Sequence, residues 1–99
     1  MRLTEYQVQA IRDATLEVVG HAAPVWLFGS RINETSRGGD VDLMVQLTEP
    51  VDDPASLMIK LATKVSKSMY GRKVDVLIDA PNLKHFPIHD MVIEHGVLL

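Results

Sequence analysis

The sequence contains no cysteine, which excludes disulfides, thiol nucleophiles and thiolate-bound metals. It has no excess of positive charge: 13 Asp and Glu against 10 Lys and Arg leave a formal net charge of −3. No global basic field therefore draws the chain to nucleic acid, which is not an expected partner. No apolar run approaches the roughly 20 residues that a bilayer-crossing helix needs. Glu5, Gln7, Arg12 and Asp13 stand where a secretory signal would need an apolar centre. There is no Walker A pattern and no nucleophile-elbow serine, which argues against a P-loop enzyme and a serine hydrolase. Internal repeats, low-complexity segments and linkers are also missing. These absences predict one cytoplasmic domain over residues 1–99 that makes no use of a membrane.

What is present is ordinary for a globular domain: 99 residues, 46% of them hydrophobic. A domain this small buries only part of its surface and is marginal by itself. A partner subunit or a homodimer fits that expectation.

Thr4-Glu5-Tyr6-Gln7 has capping-box spacing. Val8, Ile11, Thr15, Val18 and Val19 then recur at helical spacing, which predicts a helix over 5–20 that Gly20 stops. Val25-Trp26-Leu27-Phe28 reads as a buried strand, with Trp26 in the core. Residues 30–39 read as a loop and 40–47 as a second strand. Asp53 and Pro54 open a second helix, with Leu57, Met58, Leu61, Ala62, Val65 and Met69 on one face and Gly71 as its stop. Lys60, Lys64 and Lys67 read as its solvated face. Residues 73–79 alternate as a third strand. A short helix follows Pro87 and ends near His95 and Gly96, and Val97-Leu98-Leu99 extends or adds a strand. Tyr6 and Tyr70 are expected to pack at helix edges, and His21 and His95 to lie at the surface. His85 and His89 have the spacing of a helical metal pair, but Pro87 falls between them and spoils a regular helix. The order of elements predicts a small mixed α/β (α+β) fold, with helices packed on a mixed sheet.

Three aspartates stand out. Asp40 and Asp42 are two apart on a predicted strand, so their carboxylates share one face while Val41 and Leu43 turn to the core. Asp75 lies within the third predicted strand, and aspartate is depleted in strands. Converging carboxylates share protons or bind cations. Hard carboxylate oxygens suit Mg²⁺, and two such ions roughly 4 Å apart clamp the oxygens of an in-line phosphoryl displacement. The same aspartates, taken alone, also fit strand ends that face solvent. Upstream, Gly29-Ser30 closes the first strand. Glycine there lets backbone approach a phosphate, and the following amides, the Ser30 hydroxyl and Arg31 can hold anionic oxygens. A plain strand-ending turn explains the same dipeptide.

Leu27-Phe28-Gly29-Ser30-Arg31, then Gly38-Gly39-Asp40-Val41-Asp42-Leu43, then Val74-Asp75-Val76, together resemble the DNA polymerase beta superfamily, and within it the minimal nucleotidyltransferases. The resemblance runs from about Val25 to Ile78 and implies the palm-like nucleotidyltransferase fold. It implies that Gly29, Ser30 and Arg31 bind the triphosphate, that Asp40 and Asp42 ligate two Mg²⁺ ions, and that Asp75 completes the site that activates the attacking hydroxyl. The reaction would move a nucleoside monophosphate, AMP from ATP, onto a hydroxyl. The chain departs from the pattern at Asn33 and Glu34, where a basic residue and a glycine are common, and at Gly39, where serine is. Arg37 lies later in the loop as a substitute cation. So short a chain has little to orient an acceptor. The resemblance implies a small helical toxin-like protein as that acceptor, with this chain as its antitoxin. A non-catalytic antitoxin-like subunit that acts by occlusion is the alternative, and modification of a small molecule is a weaker third.

Overall fold

The computed structural model describes residues 3–29 and 41–99. Its elements are helix α1 (Glu5–Val19), strands β1 (Val25–Phe28) and β2 (Val41–Gln46), helix α2 (Pro54–Ser68), strand β3 (Val74–Asp79), helix α3 (Pro87–His95) and strand β4 (Val97–Leu98). The four strands form one mixed sheet in the order β3-β2-β1-β4. β2 is antiparallel to β1 and parallel to β3, and β4 is antiparallel to β1. The fold is thus a small mixed α+β fold, as the element order predicts. Among the described residues, no helix is long and apolar enough to cross a membrane.

Strand alternation divides the sheet into two faces. Val25 and Leu27, Val41, Leu43 and Val45, and Val74, Val76 and Ile78 form one buried cluster with Ile11 and Ala14 of α1 and Leu61 and Val65 of α2. The other face carries Trp26, Phe28, Asp42, Met44, Gln46, Asp75, Leu77 and Asp79. α3 packs across it against β1, and Met44 and Val92 are both fully buried outside the main cluster.

The caps follow the sequence. Thr4 Oγ1 accepts from the Gln7 N–H at 3.1 Å and Gln7 Oε1 accepts from the Thr4 N–H at 2.9 Å, a complete capping box on α1. Asp53 accepts from the Ser56 N–H at 3.1 Å, with Pro54 in the first turn of α2. At the far end of the sheet, Asn82 accepts from the Val51 N–H at 2.9 Å and donates to the Val51 carbonyl at 2.8 Å, joining the two loops there.

Three aromatic expectations need correction. Trp26 is half-buried on the second face, because Val25 and Leu27 take the core positions; its Nε1–H donates to Gln46 Oε1 at 2.6 Å. Tyr6 is exposed: it lies about 140° round the helix from buried Ile11. Tyr70 is 98% exposed and does not pack at all. It has φ +59, one residue before the expected stop, and Gly71 follows at φ +79. The Gly71 N–H bonds back to the Ser66 carbonyl at 2.9 Å, the six-to-one bond of a Schellman end, which makes Tyr70 the left-handed residue. A tyrosine there strains its Cβ without packing gain. We therefore expect Tyr70→Gly to raise the unfolding free energy by about 0.5–1 kcal/mol, read by urea denaturation. A loss of stability of that size would show that the aromatic ring is held by a contact.

Candidate active site

Because β1 runs antiparallel to β2 and β3 runs parallel to it, the C-terminus of β1 and the N-termini of β2 and β3 meet at one end of the sheet. Gly29, Asp42 and Asp75 therefore gather there from three separate stretches of sequence. The register makes this specific. Asp42 is paired directly with Phe28 on one side and with Asp75 on the other. Register partners project from the same face, on strands about 4.8 Å apart. Asp42, on an inner strand, is half-buried; Asp75, on the edge strand, is exposed. A backbone bond from the Val41 N–H to the Lys73 carbonyl, 2.9 Å, sets β2 and β3 level at this end.

Gly29 has φ +75, the left-handed region that disfavours a side chain. Its Cα faces the Asp42 carboxylate. A Cβ on Gly29 would run into Asp42 Oδ2 and stand 3.1 Å from its Cγ. At Gly29 the main chain thus lies close against the Asp42 carboxylate in a way that only glycine allows.

Asp40, Ser30 and Arg31 lie outside the described residues, as do Asn33, Glu34, Arg37 and Gly39. Among the described residues no group of three or more acidic or histidine side chains is gathered as a metal site. Asp42 and Asp75 supply two hard oxygen donors on one face, and Asp40 precedes Asp42 by two residues. That donor chemistry fits Mg²⁺.

One cluster was not foreseen as such. At the opposite end of the second face, the His85 and His89 rings stack with centroids 4.9 Å apart. Pro87 begins α3 rather than interrupting it, so His85 precedes the helix and His89 lies in its first turn. His89 is 2% exposed. The Phe86 N–H donates to its Nδ1 at 2.9 Å, and its Nε2 faces the Ile78 carbonyl at 3.2 Å, so Nε2 carries the hydrogen. Both ring nitrogens are committed to backbone, and His89 has none left for a metal. The His-x-x-x-His spacing was the available signal, but Asp79 and Asp90, which complete the cluster, come together only through the docking of α3.

Lys60 and Lys67 are exposed, while Lys64 is half-buried and its Nζ meets Glu17 of α1 at 2.8 Å. No protein-family model and no curated protein matches the chain.

Proposed function

We propose that this chain is a Mg²⁺-dependent nucleotidyltransferase that moves a nucleoside monophosphate, AMP from ATP, onto a hydroxyl of a partner protein. The observation that supports this reading is the pairing of Asp42 with Asp75 in register, with Gly29 closed over Asp42. Like charges directly opposite on neighbouring strands destabilise a sheet, and a bound cation removes that cost. Asp42 and Asp75, with Asp40, would hold two Mg²⁺ ions, which when bound neutralise phosphate charge and lower the barrier to hydroxyl attack.

The chain's own residues would do the positioning. Gly29 leaves room for main-chain amides to approach the triphosphate, joined by Ser30 and Arg31. Asp75, the exposed member, would take the proton of the acceptor hydroxyl. The hydroxyl oxygen bonds to the α-phosphorus, the bond from that phosphorus to the bridging oxygen breaks, and pyrophosphate leaves. The acceptor we infer is a small helical toxin-like protein in the cytoplasm, with this chain as its antitoxin.

A second reading keeps the partner and drops the chemistry: an antitoxin-like subunit that neutralises by occlusion. It is favoured by the exposed apolar side chains Phe86, Ile88, Met91, Ile93 and Leu98 along α3 and β4.

Calorimetry of ATP binding separates the two. The enzyme reading expects binding that requires Mg²⁺ and is lost in Asp42→Asn. Mg²⁺ alone should raise the melting temperature of the native chain, by linkage, and not that of Asp75→Asn. Failure of ATP to bind under any metal condition, with partner binding intact, would leave occlusion as the function.

A further inference from the structure

The cluster at the far end of the sheet is independent of the acidic pair and of any nucleotide chemistry. His85 lies in the turn between β3 and α3 and is wedged between two carboxylates on different elements. Its Nε2 is 2.7 Å from Asp90 Oδ1, in the first turn of α3. Its Nδ1 is 3.5 Å from Asp79 Oδ1, the last residue of β3. A neutral imidazole carries one hydrogen and serves only one of these acceptors; an imidazolium serves both. We propose that His85 is a proton-dependent latch that fastens the start of α3 to the end of β3.

The other groups around it are consistent with that role. His89, stacked beneath the ring, binds the Phe86 N–H and the Ile78 carbonyl. It carries α3 onto β3 irrespective of His85. Lys84, the neighbouring cation in the turn, directs its Nζ over the Phe86 ring at 5.4 Å from the centroid. Asp79 is the less exposed of the two carboxylates, 23% against 74% for Asp90. The segment that follows the latch packs against β1 as α3 and continues into β4, whose Val97 pairs with Leu27.

The Asp90 hydrogen bond raises the His85 pKa above its ordinary value; desolvation is the next largest influence and opposes the rise, and the charges of Asp90 and Asp79 and the Asp79 hydrogen bond add to it. A group whose pKa is raised by folding stabilises the folded form fully below its unfolded pKa, near 6.5. That stabilisation is lost as pH rises through the folded value. The latch is therefore closed in mildly acid solution and open in alkaline solution.

Amide hydrogen exchange by NMR, expressed as protection factors, tests this on the full chain. Between about pH 5.5 and about pH 8.5, on either side of the imidazole range, α3 should lose protection severalfold relative to Ile11 of α1. His85→Gln should abolish that difference. Should His85→Gln fold poorly, Asp90→Asn serves, since Asp90 is exposed: the His85 ring should then titrate at a lower pH than in the native chain. A protection ratio in the native chain that does not change with pH, or a His85 titration unmoved by Asp90→Asn, would overturn the latch.

Discussion

Leu43→Ala is expected to lower the unfolding free energy by about 3 kcal/mol, within the roughly 2–5 kcal/mol spread for buried leucine. Leu43 is 1% exposed in β2, an inner strand with neighbours on both sides. Its side chain belongs to the face that α1 and α2 cover, so the cavity would be walled by sheet on one side and helices on the other. Neither can collapse without breaking register, which is why the cavity cost adds to the lost transfer free energy. A domain of this size has about 5–15 kcal/mol in all, so the variant would have lost a large share of its stability. The single tryptophan, Trp26, lies on the neighbouring strand and is half-buried, so its fluorescence reports the urea transition. Ile59→Ala, on the exposed side of α2, is the control and should change stability by less than about 0.5 kcal/mol. Equal effects at the two positions would show that the sheet is not packed under the helices as described.

Gly29→Ala is expected to cost about 1–2 kcal/mol from the left-handed backbone alone, and to abolish any Mg²⁺-dependent rise in melting temperature. The second effect is the more informative. The new Cβ meets the end of a side chain, Asp42 Oδ2, so the carboxylate can turn away rather than split the strands. The strain on stability from that contact is then modest, while the position of the carboxylate is lost. A double-mutant cycle separates the two causes. In Asp42→Ala the contact is removed, so adding Gly29→Ala should cost only the backbone share. If Gly29→Ala costs the same with and without Asp42, and Mg²⁺ still raises the melting temperature of the single variant, then the glycine is a plain turn residue and does not keep a site open.

Much of the local structure could be read directly from residue types. The Thr4–Gln7 box, the Asp53-Pro54 start and the period-two pattern of residues 74–79 each depend on neighbours a few positions apart, and each appears in the fold. The misread aromatics share a cause. Trp26 has the composition of a core residue, but the strand's parity assigns the core to Val25 and Leu27. Tyr70 takes the left-handed position one residue before the glycine that looks like the stop, because it is the Gly71 N–H that makes the closing bond to Ser66. Apolarity says that a side chain can be buried, but phase and cap geometry decide whether it is.

The candidate site divides along the same line. That Asp40 and Asp42 stand two apart, and that Gly-Ser follows the first run of apolar residues, can be read from the sequence, though Asp40 and Ser30 lie outside the described residues. Sequence spacing alone could not say that Asp75 stands opposite Asp42, that Gly29 closes over that carboxylate, or that Asp79, His85 and Asp90 meet at the other end. Those depend on strand order, on parallel register and on which face α3 crosses. They are set by long-range burial of the two sheet faces, because a shift of one residue in β3 would turn Val74, Val76 and Ile78 out of the core and Asp75 into it.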